Sequence, residues 1–326
     1  VKTMEGMFKG ATRFNGYLYN WNVAEVTTMK EMFDGASSFN QGLNDWSTSN
    51  VRSFTRMFHG ASSFNQPLGE WDVAKVTWMS GMFHGAVRFN QDLSAWNTGR
   101  VTTFESMFED AREFRTPLGT WDTRMATSMK SMFKGARRFD GDLYFMTAAD
   151  DLSMSMSMQT PMSMHTPMSG SMSMSMSIGG GLEFGDDGDG MIETGWNTRR
   201  VTDMSFMFFD ALSFNGNVAG WHVSNVVTMQ RMFYGASVFN NDISLWDVGQ
   251  VTDFSNMFIG ADKFSHDLTM WEISPASDAT NMFNSAYYTR TSSPTSVPTV
   301  TPIYFEPTSW LELKTAVDAF IDDGDF

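Results

Sequence analysis

The chain contains no cysteine. That excludes disulfides, zinc–thiolate sites, iron–sulfur clusters and cysteine nucleophiles, and it leaves the compartment open. Basic residues are scarce: 22 Lys and Arg stand against 37 Asp and Glu, a formal net charge of -15. A phosphate backbone or an anionic lipid surface is held by Lys and Arg, so neither is an expected partner. No run of about 18 apolar residues occurs, so no membrane span is expected. There is no Asn-x-Ser/Thr site for N-glycans. No HExxH, no phosphate-cradling glycine loop and no Ser/His/Asp signature appears. The sequence therefore predicts neither an enzyme nor a cofactor.

What is present is a period. Trp recurs at 21, 46, 71, 96 and 121, then at 196, 221, 246 and 271. Every gap is 25 except one of 75. Met-Phe recurs in the same register from Met7 to Phe283, with Ala four after each Met, as in Ala11 and Ala36. Phe stands three after that Ala, often followed by Asn, and Leu commonly lies three before Trp. One such unit cannot bury its own apolar side, but stacked copies can. The fold class expected is a repeat solenoid of 25-residue, leucine-rich-repeat-like α/β coils. V-T-x-M reads as a short parallel strand and Met-Phe-x-x-Ala as helical turns. Phe and Trp should then form ladders through the core, and the Asn should cap turn backbone and meet its own copies.

At these residues the chain resembles a known family. "VTTMKEMFDGASSFNQGLNDW", Val26 to Trp46, is similar to the BspA-type, leucine-rich-repeat-like surface proteins. The same repeat is known as a domain of unknown function in mycoplasma lipoproteins and is abundant in diatoms. The resemblance spans Val1 to about Asn284 apart from one insert. It implies an extracellular or cell-surface solenoid used in adhesion or assembly, and it implies no catalytic residues.

The domain reading follows the breaks. Residues 1–146 are solenoid coils, and 196–288 continue the same stack. Residues 147–195 form an insert, and just before it Met146 stands in the place due to Trp. The insert holds "SMSMSMQTPMSMHTPMSGSMSMSMSI", Ser153 to Ile178, with nine Met. It reads either as a segment resting its Met on the stack or as a loop that leaves and rejoins it. Next to it, Asp186, Asp187, Asp189 and Glu193 among glycines make a weak Ca²⁺ candidate, with an acidic solvated loop as the alternative. Residues 289–308 are a Ser/Thr/Pro linker with the composition of an O-glycosylated stalk. Thr160, Thr166, Thr295, Thr299 and Thr301 are the glycan candidates, with unmodified hydroxyls as the alternative.

Residues 309–323 read as an amphipathic capping or connecting helix. Trp310, Leu313, Val317, Phe320 and Ile321 share its apolar face, and Ser309 with Glu312 makes a capping box. Val1 and Met4 open the array inside a repeat, with no cap ahead of them. Those two ends are the expected assembly residues. The function expected is an extracellular structural glycoprotein, joined head to tail with copies of itself into filaments or a coat. The alternative is a monomeric adhesin that grips protein or glycan through a solenoid face. Of the five His, His59 and His84 are equivalent. Their slot holds Lys9, Asp34, Glu109, Lys134, Phe209, Tyr234 and Ile259 elsewhere, so it reads as a variable outward position rather than a metal pair. Trp78 and Tyr17 depart from the repeat and are the surface candidates for stacking on a sugar.

Overall fold

A computed structural model describes residues 1–143 and 195–283. The chain divides into two compact units, one of Val1–Tyr144 with Gly195–Phe326 and one of Phe145–Thr194. The second unit lies outside the described residues. Within the first, coils are numbered from the first position of the V-T-x-M stretch, which is Val except for Ala126 in coil 6 and Ala276 in coil 10. Coils 1 to 5 are 1–25, 26–50, 51–75, 76–100 and 101–125. Coil 6 is 126–143 with 195–200, coils 7 to 9 are 201–225, 226–250 and 251–275, and coil 10 is 276–283.

Each V-T-x-M stretch supplies one bridging residue rather than a strand. Parallel bridges run Thr3 to Thr28 to Ser53 to Trp78 to Thr103 to Ser128, then to Asp203, Thr228, Asp253 and Asp278. Residues 25 apart are therefore neighbours. Coil 3 shows how the backbone is satisfied. The N–H groups of Phe54, Arg56, Phe58 and Gly60 donate to Trp78, Ser80, Met82 and His84 of the next coil at 2.7–3.0 Å. The N–H groups between them turn back instead: Met57 to Phe54, His59 to Arg56 and Ala61 to Phe58, at 3.0–3.2 Å. Alternate donors thus link coils while the rest close turns, which accounts for the buried amides.

The same pattern explains why no helix forms over Met-Phe-x-x-Ala. Arg56 and Gly60 both sit in the left-handed region, at φ 55° and 66°. A left-handed residue at every fourth position breaks a right-handed helix after one turn. Among the described residues there is no helix and no strand beyond single bridges. The expected helical turns are hydrogen-bonded turns, and apolar periodicity alone could not separate the two. The second left-handed slot is mostly Gly. A Cβ on Gly60 would meet Gly35 Cα at 3.5 Å, so its space is ordinary and its conformation is the constraint.

The core is the set of repeat residues. In coil 3, Val51, Phe54, Met57, Phe58, Ala61, Phe64 and Leu68 are all fully buried, and Trp71 nearly so. Phe58 stacks on Phe64 within its coil at 4.0 Å, and on Phe33 and Phe83 of the flanking coils at 5.5 and 5.8 Å. Trp46 stacks on Trp71 at 6.4 Å. The ring ladders repeat wider than the roughly 4.8 Å of paired strands. Seven buried indole N–H groups find a carbonyl one coil back, as Trp71 Nε1 does on Leu43 O at 2.9 Å and Trp96 Nε1 on Leu68 O at 2.9 Å. The Asn after Phe behaves in the same way. Asn15, Asn40 and Asn65 Oδ1 accept the backbone N–H groups of Asn40, Asn65 and Asn90, each at 2.9 Å.

Coil 6 is assembled from two separated stretches. Trp196 N donates to Leu143 O at 3.3 Å, as Trp46 N does to Leu43 O at 3.1 Å. Trp196 Nε1 reaches Leu118 O at 2.8 Å. Trp196 therefore takes the place that the register assigns to Met146. Ser128 then bridges to Asp203, and the core ladder continues from Phe133 to Phe208 at 5.7 Å.

Candidate functional site

Of the residues expected to act in assembly, only Val1 and Met4 are described. Val1 is exposed, while Met4 is buried with its N–H on Thr28 O at 3.0 Å. Trp310, Leu313, Val317, Phe320 and Ile321 lie outside the described residues. So do Thr160, Thr166, Thr295, Thr299 and Thr301, and the acidic set Asp186, Asp187, Asp189 and Glu193. The two surfaces below belong to coils 1 to 8.

The residue directly after each Met-Phe lines up from coil to coil; it is exposed at Lys9, half-buried at His59, His84 and Lys134, and buried at Asp34 and Glu109. These side chains form a ladder of alternating chemistry. Lys9 Nζ lies 3.5 Å from Asp34 Oδ2, and Asp34 Oδ1 lies 2.6 Å from His59 Nδ1. Arg56, next to this column, adds a 3.2 Å contact to Asp34. The His59 and His84 rings meet edge to face, with centroids 4.6 Å apart. His84 Nδ1 then faces Glu109 Oε2 at 3.8 Å, and Lys134 Nζ holds Glu109 Oε1 at 2.8 Å. Burial pushes the Asp34 carboxyl upward, but the hydrogen bonds and charges of His59 and Arg56 outweigh it and hold Asp34 below its ordinary value. Glu109 is likewise held low, its burial offset by Lys134, Ser106 and His84. Burial lowers His84, with Glu109 opposing.

Beyond coil 6 the same column turns aromatic. Phe209 stacks on Tyr234 at 4.6 Å and 8°. Lys134 and Arg231 lie over the Phe206 ring at 5.9 and 5.6 Å. Asp210 is pushed up by burial, against the pull of Arg137.

The bridge column makes a second face, rich in hydroxyls. Thr77, Thr102 and Thr127 Oγ1 donate to the carbonyls of Arg52, Thr77 and Thr102 one coil back, at 3.3, 3.1 and 3.2 Å. Ser53 Oγ donates to Thr55 Oγ1 at 3.1 Å. Trp78 stands between Ser53 and Thr103 in the bridge order and is 53 % exposed. It is the departure from the repeat that the sequence flagged. Tyr17, also flagged, is exposed beside Tyr19, with ring centroids 6.3 Å apart.

The chain matches, over residues 1–83, 66–170 and 186–295, the family described as Mycoplasma protein of unknown function, DUF285. It belongs to that family. No curated protein and no solved structure matches it. Among the described residues no helix is long and apolar enough to cross a membrane.

Chemically, the ladder offers paired charges, two imidazoles and the buried carboxylates of Asp34 and Glu109, while the bridge face offers an indole among hydroxyls. Sequence inspection saw the His59 and His84 slot as an outward variable position. It did not connect His84 with Glu109 and Asp110. The signal was available, because Glu109 lies 25 after His84, one period, and Asp110 lies next to it. Three residues of the described part, His84, Glu109 and Asp110, bring a ligand atom each within 4.8 Å of the others.

Proposed function

We propose that the protein is an extracellular, BspA-type structural solenoid without enzyme activity, which joins end to end with copies of itself into surface filaments or a coat. Its hydroxyl-rich tracts carry O-linked glycans in this reading. The observation that carries it is that the coils cover one another in a single repeating register. Parallel bridges run through one equivalent residue per coil from Thr3 to Asp278, and equivalent side chains such as Met32, Met57 and Met82 are fully buried between their neighbours. A repeat whose apolar side is covered by a copy of itself suits growth by further copies in the same register.

A second reading, a surface adhesin that binds through a solenoid face, rests on Trp78. A large aromatic ring, more than half exposed among Ser and Thr, suits stacking on a sugar ring with hydroxyls alongside. Electron microscopy of the purified native material separates the two. Filaments with an axial repeat of one molecule are the expected result. Isolated particles at all concentrations would remove end-to-end assembly and leave the adhesin.

A further inference from the structure

We propose that His84, Glu109 and Asp110 form a binding site for a divalent transition-metal ion of the zinc class, tying coil 4 to coil 5. Three features of the geometry converge on it.

The first is the gap between His84 and Glu109. At 3.8 Å, Nδ1 and Oε2 are too far apart for a hydrogen bond. Zinc holds imidazole nitrogen and carboxylate oxygen at about 2.0–2.2 Å each, so one ion between them spans that separation. The second is how Glu109 is held. Its side chain is 11 % exposed, Lys134 takes Oε1 at 2.8 Å and Ser106 adds a hydrogen bond to the carboxylate, while Oε2 faces His84 at 3.8 Å. Lys134 thus orients the ligand from the side away from the ion, as the outer partners of ligating groups do. The third is Asp110. It occupies the left-handed slot, at φ 56°, where coils 4 and 6 place Gly85 and Gly135. Asp tolerates that conformation better than most side chains, and it adds a second carboxylate next to the first. Together the three side chains offer one nitrogen and two oxygens within 4.8 Å. A mixed imidazole and carboxylate set suits Zn²⁺, Co²⁺ or Mn²⁺ rather than Ca²⁺, which takes six to eight oxygens.

The test uses the full chain, freed of metal with a chelator. Co²⁺ and Zn²⁺ are titrated separately at pH 7.5, followed by the visible absorption of Co²⁺ and by calorimetry. Thermal unfolding is recorded with and without Zn²⁺. The wild type is expected to bind one equivalent more than His84→Gln and to show a zinc-dependent rise in its midpoint. His84→Gln should weaken the site at least about tenfold and lose that rise, while its metal-free midpoint stays near the wild type because His84 is partly exposed. Asp110→Asn serves as an independent check, since Asn also tolerates the left-handed slot, and it should weaken binding in the same way. Equal stoichiometry and an equal zinc-dependent rise in wild type and His84→Gln would overturn the proposal, as would no binding at millimolar metal.

Discussion

The sharpest test of the coil geometry is Gly60. It sits at φ 66°, and its N–H donates to His84 O at 2.7 Å. A Cβ there would meet only Gly35 Cα at 3.5 Å and Gly35 N at 3.6 Å, ordinary contacts that need no movement. The cost of Gly60→Ala is therefore conformational, about 1–2 kcal/mol for a left-handed L-residue. For a cooperative unit of this size that corresponds to a fall of about 2–8 °C in the unfolding midpoint. Gly60→Val should cost more, because a β-branched residue is a stronger outlier at positive φ. Gly60→Asn should cost less, since coils 5 and 7 already hold Asp110 and Asp210 in this slot at φ 56° and 53°. Gly69 is the control. It has no positive φ, and its nearest contact is Asp92 O at 3.7 Å, so Gly69→Ala should be neutral or stabilise by about 0.4–1 kcal/mol. Urea and thermal unfolding of the four variants read the order directly. If Gly60→Ala matched Gly69→Ala, the left-handed turn, and with it the explanation for the absent helix, would be wrong.

Two further expectations follow from the ladders. Trp96→Phe keeps a stacked ring but removes the indole N–H that Leu68 O accepts at 2.9 Å, while Leu68 O keeps the N–H of Trp71 at 3.1 Å, so the lost hydrogen bond should cost about 0.5–1.5 kcal/mol in denaturant unfolding. Asp34 is ionised and held below its ordinary value of 3.8 by His59 and Arg56, so the folded state binds this proton less readily than the unfolded state. The stability it contributes is present above about pH 4 and is lost as pH falls through its lower folded value. Asp34→Asn should accordingly show a shallower loss of stability between about pH 4 and pH 2 than the wild type, checked by unfolding midpoints across that range.

Much of the candidate site was legible one coil at a time. The slot of His59 and His84 was seen to be variable, because its occupants range from Lys9 to Ile259, but it was also read as outward, and Asp34 and Glu109 in it are buried against their neighbours. Trp78 and Tyr17 stood out as aromatic residues off the repeat, and both are exposed. What no single coil contains is the meeting of His84 with Glu109 and Asp110, since His84 comes from coil 4 and both carboxylates from coil 5. The replacement of Met146 by Trp196 has the same character. The register admits both residues, and only the hydrogen bonds to Leu118 and Leu143 choose between them.

The sequence by itself determined the period, the identity of the buried residues and the mutual contact of residues 25 apart. One repeat cannot hide its Phe, Met and Trp side chains except against a copy of itself. Only the tertiary structure decided the local backbone. Apolar spacing over Met-Phe-x-x-Ala fits a helix and a chain of turns equally well. The choice falls to inter-coil hydrogen bonds that demand a left-handed residue every fourth position, at Arg56 and Gly60 in coil 3. A residue such as Arg56 carries no mark of that conformation in its own chemistry, so the partner coil imposes it.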